Sequence, residues 1–336
     1  MGPFLSREGR GKKQERPLMD FLPAVLDFLS AVFVAPIASM WDNPSFLLEV
    51  VIGGLLTGVM YSLVALGFVL IYKASGVFNF AQGTMVLFAA LTFVGLIERG
   101  IPAWAAFILA ALTMIAMAFA IERVVLRPLV NQEPIILFMA TIGLTFFLDG
   151  FGQLVWGGDV HPLDIGIPKE PIILGGVLIN QFDLVAALVC GTMVAVLALF
   201  FQKTAIGRAL RAVADDHQAA LSVGIPLKTI WVIVWSVAGI VGLVAGIMWG
   251  SSLGVQFSIS LVALKALPVL ILGGFTSVPG AIVGGLIVGA GEKVAEVFWG
   301  PVTGGAIEDW FAYGLALVFL LFRPQGLFGE RIIERV

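Results

Sequence analysis

The chain has 336 residues, 60% of them hydrophobic and 12% charged, with a net charge of −3 and a mean hydropathy of +1.05. A soluble domain carries about 25% charged residues, so the polar surface needed to cover a soluble globule of this size is missing and an integral membrane protein is expected. One cysteine, Cys190, and two histidines, His161 and His217, set apart by an apolar run, leave no basis for an intramolecular disulfide, a thiolate cluster or a histidine metal site.

A spanning helix needs about 20 mostly apolar residues. The first candidate, 21–41, follows the basic residues Arg7, Arg10, Lys12, Lys13 and Arg16 and carries Asp20 and Asp27 on one face. It reads as a span or tilted anchor, as an interfacial amphipathic helix, or as a cleaved signal; the two aspartates and the length count against the last. Further apolar runs centre on 46–71, 80–98, 101–121, 135–156, 181–201, 229–250, 278–298 and 309–322, with a shorter one at 261–275. The expected fold is therefore all-α: a polytopic transmembrane helix bundle of about nine to ten spans with one short cytoplasmic helix.

Lys and Arg recur in alternate connections, at Lys73, at Arg123 and Arg127, at Lys203, Arg208, Arg211 and Lys228, and at Arg323, Arg331 and Arg335. The intervening connections, including 157–180, are poor in them. By the positive-inside rule the basic loops and both termini are cytoplasmic.

Several stretches within this frame invite a functional reading. VFNFAQGTM (Val77–Met85) places Asn79 and Gln82 at the entry of a span with Gly83 behind them, and GGFTSVPG (Gly273–Gly280) breaks the chain between two apolar runs. Non-helical backbone at membrane depth persists only where protein or a wet cavity satisfies it, so both are either parts of a translocation path or ordinary turns capping helices. Asp149, Gln153 and Lys265 are polar residues in or near spans; Lys265 either lines the path or snorkels outward. Glu292, Lys293 and Glu296 stand near the outer end of their span and are expected to reach the headgroups. Gly280, Gly284, Gly285 and Gly289 recur at helical spacing, a small-residue stripe that lets helices approach closely in lipid.

Catalytic signals are absent. EGRGKKQ lacks the spacing and the hydroxyl residue of a P-loop, and GAGEKV (Gly289–Val294) is half a dinucleotide fingerprint inside an apolar run. No enzyme activity, cofactor or metal is expected of this chain.

RALRAVADDHQAALSVGIP (Arg208–Pro226) is the polar exception between two apolar runs. Asp215 followed by Gln218 has capping-box spacing, and Gly224 with Pro226 reads as a helix stop. Together they predict a two-turn helix over Asp216–Val223, with an exposed small face at Ala219 and Ala220.

Gln218-Ala219-Ala220-x-x-x-Gly224 resembles the E-A-A-x-x-x-G loop of ABC-importer permeases, with Gln in place of Glu. FNFAQG (Phe78–Gly83), IERVVLRPL (Ile121–Leu129), GRALRAVADDHQAALSVGI (Gly207–Ile225), KALPVLILGGFTSVPGAIVGGLIVG (Lys265–Gly289) and RPQGLFG (Arg323–Gly329) resemble, in order, the branched-chain amino acid ABC transporter permease family. The family commonly has His where Gln82 stands. The resemblance implies a permease domain over 46–330, preceded by a basic segment plus a possible extra span over 1–45 that exceeds the usual family length. It implies as partners a second homologous permease subunit, cytoplasmic ATPase subunits, a periplasmic substrate-binding protein and the lipid bilayer, and no nucleic acid. Arg208, Arg211, Asp215, Asp216, Gln218, Ala219, Ala220 and Gly224 would then couple to the ATPase. Asn79, Gln82, Gly83 and Lys265 would belong to the path. The solute would be a branched-chain amino acid, or urea, a short amide or an aromatic acid.

Overall fold

A computed structural model of the chain describes residues 23, 25–129, 132–215 and 217–329. Among the described residues twelve helices follow one another: α1 (Val25–Asp42), α2 (Pro44–Ser75), α3 (Gln82–Glu98), α4 (Ala103–Ile121), α5 (Pro134–Trp156), α6 (Gln181–Lys203), α7 (Ala205–Asp215), α8 (His217–Ser222), α9 (Leu227–Leu253), α10 (Val262–Gly273), α11 (Val278–Thr303) and α12 (Ile307–Phe322). Each of the ten apolar runs is helical over most of its described residues, so the all-α bundle stands. Their lengths differ. Six helices are long and apolar enough to cross a membrane, and α10 with its preceding turn forms with α11 a pair bent by 115° that can count as a seventh. The remaining two, α3 and α12, have 17 and 16 residues and fall short of the usual 20.

In lipid, apolar side chains gain little by leaving the bilayer, so helices associate where small residues let backbones meet. The stripe on α11 packs on the matching stripe of α2: a Cβ at Gly58 would lie 2.5 Å from the Gly285 carbonyl oxygen and 2.9 Å from Leu286 Cα. Ser62 adds a hydrogen bond to the Ile282 carbonyl at 3.2 Å. With α9, α2 forms the buried centre, and the Trp231 indole donates to Ala74 O at the end of α2 (3.1 Å). Helices α4, α5 and α6 bury one face and surround this centre. The outermost is α1, tied by Trp299 Nε1 donating to Val32 O at 2.9 Å.

One end of the bundle gathers basic residues. A cavity of about 270 Å³ there is lined by Lys73, Gln202, Gly207, Arg211, the turn Thr276–Pro279 and Phe328. At this end GGFTSVPG is a capped turn: Leu327 and Phe328 donate backbone N–H groups to the Leu272 and Gly273 carbonyls, and Ser277 Oγ accepts from Gly280 N at 3.0 Å.

At the opposite end the long loop 157–180 is more ordered than a plain connection. Its β1 (Pro171–Leu174) and β2 (Val177–Asn180) form an antiparallel hairpin in which Leu174 pairs with Val177. Gly175 and Gly176 both have positive φ, which a two-residue hairpin turn with the strand twist requires. His161 contacts Glu98 Oε1 at 2.8 Å and pairs with Val255, fastening the loop to α3 and α9.

Candidate functional site

The polar exception of the sequence is helical over Ala205–Asp215 and again over His217–Ser222, on either side of Asp216. AIGRALRAVAD continues helical through Asp215 because its apolar side is consistent: Gly207, Leu210 and Val213 all face inward. The start of α7 is capped by Thr204, whose Oγ1 accepts from Gly207 N at 3.2 Å. Asp215 is itself helical, within a helix that begins at Ala205, and its reading as the N-cap of a helix over Asp216–Val223 is corrected. Asp216 and the Gln218 side chain lie outside the described residues.

Arg208 and Arg211 turn back onto α6. Arg211 Nη1 donates to Phe201 O at 2.6 Å and Arg208 Nη1 to Lys203 O at 3.4 Å. Cations at these last carbonyls complement the helix dipole, so both arginines hold α7 against α6.

The end of α8 closes on Gly224, which has φ +85°. Ile225 N donates to Ala220 O and Gly224 N to Leu221 O, each at 3.0 Å; this is the paired 6→1 and 5→2 pattern of a Schellman stop. The expected exposed face at Ala219 and Ala220 is only half present. Ala220 is 2% exposed and belongs to the core beside Leu210 and Val213. The outward apolar residues are Leu221 and Val223, at 52% and 75% exposure. Ala220 is inward because it continues the buried side of α7.

The other candidates lie around the α2–α3 turn. Asn79 and Gln82 are fully buried. Asn79 Oδ1 accepts from Ala81 N at 3.1 Å, and Gln82 Nε2 donates to Ala238 O at 3.3 Å, while Gln82 Oε1 is buried without a partner among the described residues. Gly83 borders a cavity of about 190 Å³ walled by Phe68, Phe78, Phe80, Thr145 and Ser260 among others. Phe78 connects its aromatic wall, stacked on Phe68 with ring centroids 4.7 Å apart. Lys265 stands apart on α10, its Nζ 3.4 Å from Glu308 O and 3.5 Å from Asp309 Oδ1. It neither points freely outward nor meets Asn79, Gln82 or Gly83 through any described contact.

Glu292 overturns its sequence reading. It is 3% exposed, lies against Tyr61 of α2, and its Oε1 has no hydrogen-bond partner among the described residues, so it does not reach headgroups. The signal was present: Gly285, Gly289 and Glu292 are spaced i, i+4, i+7, so the stripe that packs on α2 carries the carboxylate inward with it. By contrast, Asp149 and Gln153 satisfy each other on the outer face of α5 at 3.2 Å.

Comparison with known proteins bears on this arrangement. Residues 50–322 match the family described as branched-chain amino acid transport system / permease component. The high-affinity branched-chain amino acid transport system permease protein BraD of Pseudomonas aeruginosa is 31% identical over 86% of this chain and 98% of its own length. LivH of Escherichia coli, named for the same transport role, is 27% identical over 87% of this chain and 98% of its own length. The autoinducer 2 import system permease protein LsrC of Escherichia coli matches at 25% identity over 55% of this chain and 48% of its own length. With the match running through every helix from α2 to α12, the chain belongs to the branched-chain amino acid transport permease family.

Proposed function

We propose that this chain forms half of the translocation path of an ATP-driven importer for branched-chain amino acids. As a permease component it is a transport subunit, not itself an enzyme, and a multi-pass protein of the bacterial inner membrane. A second homologous permease supplies the other half, cytoplasmic ATPase subunits dock at α8, and a periplasmic binding protein delivers solute at the end marked by the hairpin. The observation that carries the reading is α7–α8. A helix pair fastened to α6 by two arginines ends on a rigid Schellman stop and still presents Leu221 and Val223 to water. Such an element transmits a push from a closing ATPase into the spans. Asn79, Gln82, Gly83 and Lys265 belong to the path, with the cavity beside Gly83 as one segment of it.

Expression with the neighbouring transport subunits tests this. A two-permease, two-ATPase complex whose ATP hydrolysis rises with binding protein loaded with leucine, isoleucine or valine supports the proposal. A lone homo-oligomer overturns it, and stimulation by urea, a short amide or an aromatic acid alone overturns the solute. In the same assay Gln82→Leu is expected to assemble, since it removes an unpartnered buried acceptor, and to lose most of the stimulation. Full stimulation in that variant returns Asn79 and Gln82 to helix capping.

Orientation has its own test. The basic end is expected in the cytoplasm. Cysteines at Asp164 and Lys203, both exposed, in a background with the buried Cys190 replaced by alanine, can be probed with an impermeant thiol reagent on intact cells. Labelling is expected at position 164 and protection at 203; the converse pattern inverts the topology.

A further inference from the structure

Glu292 is a carboxylate on a membrane-spanning helix that packing does not require. The glycines of its stripe already make the α2–α11 contact, and a further small residue at 292 would continue it. Counting from Val278 at about 1.5 Å per residue, Glu292 stands about 21 Å along α11, well inside the bundle. It lies against Tyr61, and the charged groups acting on it are Lys265 of α10 and Glu308 and Asp309 of α12. Trp249 of α9 stacks on Tyr61 with ring centroids 5.7 Å apart and planes at 17°. Its indole N–H, like Glu292 Oε1, is buried without a hydrogen-bond partner among the described residues.

An orphaned acceptor and an orphaned donor flanking one tyrosine are costly in a dry span. Each cost is removed by a ligand that brings a donor to the first and an acceptor to the second. Glu292 supplies the acceptor here, and Lys265, a cation acting on it, supplies the counter-charge. We infer that Glu292, Lys265 and Trp249 form a subsite for the zwitterionic head of an α-amino acid, Glu292 taking the ammonium and Lys265 with the Trp249 N–H taking the carboxylate. The inference rests on the amino-acid permease reading and names the head-group site within it.

The seam above the subsite is lightly closed. Lys265 reaches Glu308 O and Asp309 at 3.4 and 3.5 Å, and Asp309 is 72% exposed in its side chain. An ion pair that long and that wet contributes little, so a substrate carboxylate can displace it. Tyr313, whose hydroxyl donates to Leu264 O at 2.8 Å, holds α12 beside α10 while that exchange occurs.

The test uses the purified importer complex without its binding protein, followed by thermal unfolding against three probes. L-leucine carries both charges, isopentylamine only the ammonium, and 4-methylpentanoate only the carboxylate. Wild type is expected to be stabilised most by L-leucine. Glu292→Gln is expected to raise the half-saturating L-leucine concentration about tenfold or more and to abolish the isopentylamine response. Glu292→Asp should restore part of both, and Lys265→Gln should lose the 4-methylpentanoate response while keeping that to isopentylamine. Equal half-saturation in wild type and Glu292→Gln, or a wild type indifferent to the ammonium group, overturns the subsite. If Glu292→Gln fails to assemble, the probe selectivity of wild type and the Glu292→Asp variant decide. These readouts need no binding protein. A wild-type complex lacking substrate-stimulated hydrolysis overturns the permease reading alone, and a Glu292→Gln variant matching wild type overturns the subsite alone.

Discussion

Replacing Leu221 and Val223 together by aspartate is expected to strip the ATPase from the membrane subunits while leaving the bundle folded. Both side chains are more than half exposed, so two charges there cost the isolated permease little. In a docked complex the same charges would be buried unpaired, a loss large enough to dissociate the ATPase. ATPase retention on purification reads the effect, with permease yield and elution profile as the control. Gly224→Val attacks the same element from within. At φ +85° a β-branched residue costs about 1–2 kcal/mol, so α8 should fray and substrate-stimulated hydrolysis should fall even where the ATPase is retained. Full retention and full stimulation in both variants would reduce α7–α8 to a connecting loop.

Gly58→Leu is expected to abolish recovery of a folded, monodisperse permease. The atoms a side chain would meet are the Gly285 carbonyl and Leu286 Cα, main-chain atoms of a helix that cannot step aside without opening the α2–α11 contact along its length. Overpacking in a tight core typically costs about 1–3 kcal/mol even where side chains can yield, and here none is available to yield. Gly53→Ala is the matched control. No atom lies within 4 Å of a Cβ at that position, and alanine favours a helix by about 1 kcal/mol. The two variants, compared by detergent-solubilised yield and thermal midpoint, should move in opposite directions; a Gly58→Leu protein that survives like wild type would show that the stripe is incidental.

The candidate coupling segment shows how far local signals reach. Gly224 was legible because a left-handed stop is dictated by the residue itself and the proline after it. The start of the helix was not, because the capping-box spacing at Asp215 and Gln218 competes with a longer amphipathic repeat. Burial of Gly207, Leu210 and Val213 against α6 and α2 decides for the repeat. Ala220 looked available for docking as a small residue in a polar stretch, yet it lies on the continuation of that buried side.

Sequence alone determined the membrane class, the helical character of the apolar runs over their described residues and the family, because composition, run length and ordered motifs are properties of the chain and need no partner helix. Which faces meet, and so what a polar residue inside a span can do, only the tertiary structure decided. From sequence Glu292 was expected to reach the headgroups, Lys265 to line the path or snorkel outward, and Asn79 and Gln82 to line the path or cap a helix. In the fold the glycine stripe draws α2 and α11 together and turns Glu292 toward Tyr61, while α9 closes over Gln82. The physical reason is that in lipid an apolar face carries no instruction about its neighbour; close backbone approach does, and that approach depends on two helices at once.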